Sequence, residues 1–239
     1  MSSSSVKTKQ WWDIFKSELI HHFPYGTLSV ACSFMLLSIM NLFFTSGMSE
    51  CVGSHAHHGH SHVHSSGMDV LFHTFHFIHI IYAASGAMLM YYKYTEKQLL
   101  KGILIGIISS VCFCTVSDIL LPYAAGIMLG VDMNLHICFV SELQNIIPFL
   151  FIGILNGLAI AKVYDKHKEK ASLNLHFFHT FISAMASIFY AVGNGLVDFY
   201  QHLGVFFLLM LIAVVLPCTL SDVVAPLFFA RVLDEKSCH

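Results

Sequence analysis

Residues 114–122 read CTVSDILLP and residues 218–226 read CTLSDVVAP, so one Cys-Thr-x-Ser-Asp-x-x-x-Pro motif occurs twice in the chain. A second motif, Ser-Glu-Leu followed by a proline, also occurs twice, at residues 17–24 and 141–148. Motifs that recur in the same order are the signature of an internal duplication. The chain is therefore predicted to consist of two related halves.

A pair of histidines is the third duplicated feature. Residues 73–76 read HTFH and residues 176–179 read HFFH, an HxFH pattern in both halves. The tetrapeptide FHTF offers another alignment, which pairs His73 with His179 instead of His176. The HxFH register is preferred because its offset of 103 residues nearly equals the offset of 104 between the two Asp motifs.

Composition places the chain in a membrane. Of its 239 residues, 56% are hydrophobic and 11% are charged, and the mean hydropathy is +0.70, which is too apolar for a soluble globule. Continuous apolar runs favour transmembrane helices, which need about 20 residues each, over a β-barrel. Six such spans are predicted, at residues 19–45, 69–92, 101–129, 137–163, 172–197 and 203–231.

The positive residues predict the orientation of these spans. All 12 Lys and Arg residues lie in the N-terminal arm, in the second and fourth loops and at the C-terminal end. Because cytoplasmic loops keep Lys and Arg, both termini are predicted to be cytoplasmic. No cleavable signal peptide is expected, and the short loops suit a bacterial inner membrane. The predicted parts are a cytoplasmic arm (1–18), a first repeat (19–129) with an outer His-rich loop (45–68), a second repeat (137–231) and a cytoplasmic tail (232–239).

Three spans in each half require the second half to be inverted relative to the first. We therefore expect an all-α integral membrane protein with six transmembrane helices as two inverted three-helix repeats, a plan that recurs in secondary transporters. Inversion would gather the duplicated polar residues into an outer and an inner cluster, each with two His, one Asp and one Glu. The outer cluster is predicted to contain His73, His76, Asp118 and Glu142, and the inner cluster His176, His179, Asp222 and Glu18.

Both predicted clusters have side chains typical of a transition-metal site. Histidines at positions i and i+3 share one helix face, so both rings of a pair can reach one ion. Two imidazoles with carboxylates suit Zn²⁺, Fe²⁺ or Mn²⁺, and the carboxylate charge offsets the desolvation of the ion. Structural interpretations stay open, with Glu18 as an interfacial residue and the Ser-Asp pairs as N-caps of broken helices.

Four further histidines are secondary metal candidates. His79 continues the histidine stripe deeper into the second span, and His136 lies at the outer start of the fourth. His21 and His22 adjoin Glu18 and extend the predicted inner cluster.

The seven cysteines include no CxxC pair, and most lie inside the predicted spans, so no disulfide framework is expected. Cys112 and Cys114, or Cys218, can reach a metal, but we interpret them as small buried packing residues.

The predicted loop between the first two spans contains a histidine tract. Residues 55–64 read HAHHGHSHVH among small and polar neighbours. Such a tract cannot pack a core, but it can hold borderline metal ions weakly, so we expect metal capture by this loop. Its six histidines are His55, His57, His58, His60, His62 and His64.

These features predict a divalent transition-metal transporter, with zinc favoured and iron or manganese as alternatives. Transport would proceed by alternating access between the two pseudo-symmetric sites, and the outward His-rich loop favours uptake. The expected partners are the metal ions and the lipid bilayer. Nucleic acid is not an expected partner, and homo-oligomer formation is left open.

An enzyme is the main alternative. A membrane-embedded zinc-dependent hydrolase acting on a lipid-like substrate would use His73, His76 and Asp118 as zinc ligands, with Glu142 as general base. That hypothesis explains one cluster and gives no reason for its inverted copy. A haem or quinone electron carrier is disfavoured, because His at i and i+3 of one helix cannot supply opposite axial ligands.

Overall fold

The computed structural model describes residues 3–49, 60–94, 99–163, 169–196, 198–226 and 228–229, and all regular structure in these residues is helical. This part of the chain contains the helices α1 (Ser3–Ser49), α2 (His60–Tyr94), α3 (Leu99–Thr115), α4 (Leu121–Met128), α5 (Cys138–Ser141), α6 (Leu143–Val163), α7 (Glu169–Gly193) and α8 (Leu203–Thr219). Shorter segments are π-helical turns at Val116–Leu120 and Leu220–Val224 and a 3₁₀ turn at Phe199–His202. The predicted all-α class is confirmed.

Five helical segments within the described residues are long and apolar enough to cross a membrane. They are Phe23–Leu42, Gly67–Tyr92, Leu99–Met128, Leu143–Ala161 and Phe199–Asp222. Each overlaps one of the six predicted spans, as expected of a membrane protein. The remaining predicted span, 172–197, lies mainly on α7 and is not among the five. The physical reason is that α7 carries buried polar side chains, including Thr180, Ser183 and Ser187, which lower its hydropathy.

The helices α2 and α7 form the centre of the fold and run antiparallel. Phe72, early in α2, packs edge-on against Tyr190, late in α7, with ring centroids 5.0 Å apart. Further along α2, the ring of His79 lies 4.7 Å from the ring of His179, which comes earlier in α7. Half of the buried polar side chains of the described residues, including four histidines, lie on these two helices, so their interface positions the candidate site.

The small polar residues of α1 dock this helix parallel to α7. Ser29 Oγ donates to the carbonyl of Phe177 at 3.3 Å, and Ser33 Oγ lies 3.5 Å from the carbonyl of Phe181. Each such bond contributes about 1 kcal/mol, and the small side chains let the two backbones approach closely.

The helices α3 and α8 each run antiparallel to a neighbour. Gly102, early in α3, faces Tyr92, late in α2, so α3 returns alongside α2. Phe34, late in the buried part of α1, packs against Phe206 near the start of α8, with ring centroids 5.2 Å apart. Gly26 precedes Phe34 in α1 and faces a later residue of α8, which gives the same direction.

The helix α6 runs parallel to α2. Phe77 packs on Phe149 with ring centroids 5.1 Å apart. Further along both helices, Ser85 Oγ donates to the carbonyl of Gly153 at 2.9 Å. Together these contacts make α1, α2, α3, α6, α7 and α8 alternate in direction along the chain.

Gly153 is where α6 approaches α2 most closely, and we expect Gly153→Ala to lower the stability of the protein. A Cβ atom there would lie 3.0 Å from Ile81 Cα, from the Ile81 carbonyl and from Ala84 Cβ. Overpacking of this kind costs about 1–3 kcal/mol, since backbone atoms cannot move aside. The matched control is Gly204→Ala, because no atom lies within 4 Å of that site. Thermal unfolding in detergent should show a lower midpoint for Gly153→Ala alone, and equal midpoints would contradict this packing.

Candidate metal centre

Two π-helical turns place the duplicated aspartates. The first, Val116–Leu120, follows α3 and carries Asp118, and the second, Leu220–Val224, follows α8 and carries Asp222. A π turn widens the helix by one residue, and such turns are frequent at functional sites. The helix continues through both turns, and no side-chain capping bond is present at the residue before either turn, so the broken-helix interpretation of the Ser-Asp pairs is wrong.

Asp118 is fully buried and surrounded by hydrogen-bond donors. Its Oδ2 lies 2.9 Å from Nδ1 of His76 and 2.7 Å from Nδ1 of His79. Its Oδ1 accepts hydrogen bonds from Ser117 Oγ at 2.7 Å and from Ser183 Oγ at 3.0 Å. A buried carboxylate is tolerated only when its oxygens are paired, and here both oxygens have two partners.

Asp222 has the corresponding histidine partners in the second half. Its Oδ2 lies 2.7 Å from Nδ1 of His179 and 3.3 Å from Nδ1 of His176. Its Oδ1 is buried without a hydrogen-bond partner among the described residues and faces Gly86, whose added Cβ would lie 3.2 Å away. The two sites therefore share a plan, and the second keeps one acceptor atom open.

A contact between two histidines joins the sites. Nε2 of His79 lies 2.8 Å from Nε2 of His179, and both rings are almost fully buried. Since Nδ1 of each ring donates to a carboxylate, the two facing Nε2 atoms are left with lone pairs. With both carboxylates ionised, the contact is stabilised by a proton shared by the two rings or by a bound metal ion. The joined group, which we term the central cluster, consists of His76, His79, Asp118, His176, His179 and Asp222.

Two cysteines lie against this histidine contact. Cys218 Sγ and the Nε2 atoms of His79 and His179 are the ligand atoms of one candidate metal group, all within 4.8 Å of one another. Cys114 Sγ lies 4.0 Å from Nε2 of His79. Both cysteines are buried. The hydropathy pattern does not distinguish these two cysteines from packing residues. The sequence feature that marked them was their presence in both copies of the Asp motif.

The structure divides the predicted outer cluster. His76 and Asp118 belong to the central cluster, whereas His73 Nδ1 lies 2.8 Å from the carbonyl of Asp69. His73 and Glu142 both line a cleft of about 440 Å³ between α2 and α6, which we term the α2/α6 cleft. The half-buried Glu142 accepts a hydrogen bond from Asn145 in the first turn of α6. No metal group found among the described residues combines His73 with His76 and Asp118, the three zinc ligands of the hydrolase hypothesis.

The predicted inner cluster is only partly described. His176, His179 and Asp222 form a candidate metal group, as their sequence positions suggested. The side chains of Glu18, His21 and His22 lie outside the described residues. The histidine tract at 55–64 also lies outside them, apart from the backbone of its end in α2. The predicted separation of an outer and an inner cluster is corrected, because the His79–His179 contact joins them.

The histidine register also differs from the predicted one. The histidines that contact the aspartates are His76 and His79 in the first half and His176 and His179 in the second. Residues 76–79 read HFIH and residues 176–179 read HFFH, so an HFxH match was present in the sequence. His79, a secondary candidate from sequence, is thus at the centre. His136 lies instead beside His73, in a further candidate group completed by Cys138.

Comparison of the chain with known protein families, with characterised proteins and with solved structures finds no match. The chemistry of this site therefore follows from the side chains of the central cluster. Buried imidazoles and carboxylates between apolar helices are rare, because each is costly to desolvate, and they mark ion pathways or proton relays in membrane proteins. The arrangement can hold a cation at its middle, where lone pairs from both halves converge.

Proposed function

We propose that this protein carries a divalent transition-metal ion, with zinc as the leading substrate, across a membrane through the central cluster. The observation that supports this most is the His79–His179 contact. It joins two groups of potential ligands into one buried path, and α2, which carries His79, is long and apolar enough to span a bilayer. Alternating exposure of one site to the two sides of the membrane requires a path that reaches both halves of the transporter.

Charge favours a divalent cargo. The central cluster contains two carboxylates, and their charge is uncompensated when all four imidazoles are neutral. Uncompensated charge in a buried site costs several kcal/mol, so one divalent cation offsets both carboxylates. Imidazole ligands suit zinc, and Fe²⁺ or Mn²⁺ are the alternatives.

We infer further that the two halves are inverted repeats of three membrane helices. Helices α1, α2 and α3 each run opposite to their counterparts α6, α7 and α8, as inferred from the packing contacts. The π turns at Val116–Leu120 and Leu220–Val224 fall at equal positions of the duplicated motif. A pseudo-two-fold axis would then pass between His79 and His179, where the rings meet. In this scheme the ion sits near the axis and the two halves rock around it.

The α2/α6 cleft is the proposed entrance for the ion. It is lined by Asp69, His73 and Glu142, which attract and bind cations, and it lies near the first turns of α2 beyond the histidine tract. The distribution of Lys and Arg would place this end outside a bacterial inner membrane, with both termini cytoplasmic. The proposed direction is therefore uptake.

Zinc flux into proteoliposomes with an entrapped zinc indicator tests the proposal. We expect the wild type to fill the vesicles far faster than protein-free vesicles do. Asp222→Asn should abolish the flux, because it alters a carboxylate of the central cluster, whereas Asp132→Asn alters an exposed carboxylate and should leave the flux unchanged. Each variant must first elute as a monodisperse peak in detergent.

Two outcomes would refute zinc transport. One is stoichiometric zinc binding without flux, even under imposed pH or voltage gradients. The other is proton flux that needs no metal, which would make the central cluster a proton relay.

A further inference from the structure

We infer that a second metal site lies beside the α2/α6 cleft, where His73, His136 and Cys138 bind a divalent transition-metal ion before it reaches the central cluster. We term it the three-ligand site. It combines one residue of the first half of the chain with two residues of the second half. The inference rests on the proposed function for its role in transport, but the binding of the ion can be tested separately.

The ligand atoms of the three-ligand site lie close together. One ring nitrogen of each histidine and Sγ of Cys138 are all within 4.8 Å of one another. The rings of His73 and His136 meet edge to face, with centroids 5.6 Å apart. Bonds of about 2.0–2.3 Å to a tetrahedral zinc ion separate its ligand atoms by roughly 3.3–3.6 Å, so movements of about 1 Å complete the site. Both rings are half-buried, which leaves them room to turn.

His73 is oriented as a metal-binding histidine is oriented. Its Nδ1 lies 2.8 Å from the carbonyl of Asp69, one turn earlier in α2, so Nδ1 carries the proton and Nε2 the lone pair. The Nε2 atom is buried and has no hydrogen-bond partner among the described residues. Histidine ligands usually donate their other ring N–H to a carbonyl or carboxylate in this way. A metal ion would therefore satisfy the buried nitrogen of His73.

The other two ligands belong to the short segment before α6. The backbone N–H of His136 donates to the hydroxyl of Tyr190 in α7 at 3.0 Å. Ser141 Oγ lies 3.2 Å from Nε2 of His136 and donates to the carbonyl of Ile137. Cys138 begins α5 and is fully buried. These contacts fix the segment against α7, with His136 beside the ring of His73 in α2.

The charge of the three-ligand site suits a divalent ion. The buried thiol of Cys138 is neutral while protonated, and it loses its proton to solvent as the metal binds. A thiolate with two neutral imidazoles then leaves one positive charge on a divalent ion. Asp69 and Glu142 line the α2/α6 cleft together with His73, and either carboxylate offsets that charge.

The ligand set also indicates which ions bind and how they leave. Imidazole and thiolate ligands suit Zn²⁺ and Co²⁺, whereas Mn²⁺ and Mg²⁺ prefer oxygen ligands. Three protein ligands leave a fourth position for water, where an incoming ligand can bind. The ion can therefore be captured here and passed on.

The next available ligand along α2 is His76, one turn beyond His73. Its Nδ1 lies 2.9 Å from Asp118 Oδ2, and its Nε2 is buried without a hydrogen-bond partner among the described residues. Phe72 packs against the rings of both histidines, and Phe139, next to Cys138 in the sequence, packs edge-on against the ring of His76. His76 thus adjoins the three-ligand site and belongs to the central cluster, so it can receive the ion from one and deliver it to the other.

The sequence contains no second copy of this site, which makes the two ends of the route unequal. His136 and Cys138 lie five and three positions before the second Ser-Glu-Leu motif. The corresponding positions before the first motif are Trp12 and Ile14, which do not bind metals. A capture site at one end alone favours loading of the ion from that end, as uptake requires.

Cobalt binding to the purified full-length chain in detergent tests the site. Thiolate ligation of Co²⁺ produces a charge-transfer absorption in the near ultraviolet, which nitrogen ligands such as the histidine tract do not produce. We expect this absorption in the wild type and its loss in Cys138→Ser. The matched control is Cys112→Ser, which alters an exposed cysteine and should keep the wild-type spectrum. Zn²⁺ should displace the bound Co²⁺, and Mn²⁺ should not.

A second variant guards against misfolding, because Cys138 is buried. His136→Ala removes a half-buried ligand and should weaken Co²⁺ binding at the three-ligand site by at least about 10-fold, the lower end of the loss for a mere partner of a ligand. The exposed His202→Ala should bind Co²⁺ as the wild type does. In proteoliposomes, both ligand variants should need more zinc for half-maximal flux and should reach the wild-type maximum.

Three outcomes would overturn the inference. The first is a Cys138→Ser variant that keeps the absorption. The second is loss of the absorption in Cys218→Ser instead, which would place the thiolate-bound ion at the central cluster. The third is a flux with the same dependence on zinc concentration in the wild type and both ligand variants, which would leave transport standing without this site. By contrast, absorption that depends on Cys138 in a protein that transports no zinc would support the site and refute the proposed function.

Discussion

Replacing Asp118 with Asn should weaken zinc binding by about 10–100-fold, the usual loss when the partner of a metal-binding histidine is removed. Both oxygens of Asp118 accept hydrogen bonds, and Oδ2 lies between the Nδ1 atoms of His76 and His79. An asparagine has only one oxygen, and with that oxygen toward the rings its NH₂ group would face Ser117 and Ser183, whose hydroxyls must turn to accept. The uncharged amide oxygen then holds the two rings less strongly than the carboxylate does. Calorimetric titration of the purified variant with Zn²⁺ measures the loss.

Two further variants test whether the effect of Asp118→Asn is specific to that carboxylate. Asp222→Asn should weaken zinc binding with a smaller loss of thermal stability, because Oδ1 of Asp222 has no partner to lose among the described residues. Asp132→Asn changes an exposed carboxylate and should match the wild type. If Asp118→Asn is folded and binds zinc as the wild type does, then Asp118 does not position a metal ligand.

The aspartates were predictable from sequence because the motif around them is duplicated without a gap. Its residues recur with the same internal spacing at 114–122 and 218–226, and polar residues inside an apolar run are costly unless they serve a purpose. The π turns were not predictable, since no residue type in the motif specifies a widened turn. The structure accordingly replaces the expected helix break with continuous helix at Asp118 and Asp222.

The contact that joins the two predicted clusters could not be predicted from the sequence either. Counting residues along a helix gives an approximate depth for Asp118, but it does not say how closely two helices approach each other sideways. That approach depends on packing, such as the contact between Phe72 and Tyr190 that sets α2 against α7. Glu142 was misplaced for a related reason. It lies just before α6 begins at Leu143 and accepts a hydrogen bond from Asn145, so its side chain lies outside the regular turns whose periodicity was used to place it.

The sequence register and the structure give opposite expectations for the role of His79 in transport. The HxFH register makes His73 a principal ligand and His79 a secondary one. In the structure, His79 contacts both Asp118 and His179, whereas His73 lies in the α2/α6 cleft. We expect His79→Ala to reduce zinc flux by roughly 100-fold, the upper end of the loss that follows when a hydrogen-bond partner of a metal ligand is removed. His73→Ala should reduce the flux only about a few-fold.

Proteoliposomes that carry equal amounts of each folded variant make this comparison direct. His79→Ala also removes a donor from the buried Asp118, so His79→Gln is the second variant, because its amide can still donate to that carboxylate. A loss of flux in both His79 variants shows that the imidazole itself is needed. His73 should act on the capture of zinc in the α2/α6 cleft rather than on its passage through the central cluster. The flux of His73→Ala should therefore recover at high zinc concentration. Equal losses in the His73 and His79 variants at saturating zinc would instead support one site containing both residues, and the central cluster would no longer explain transport.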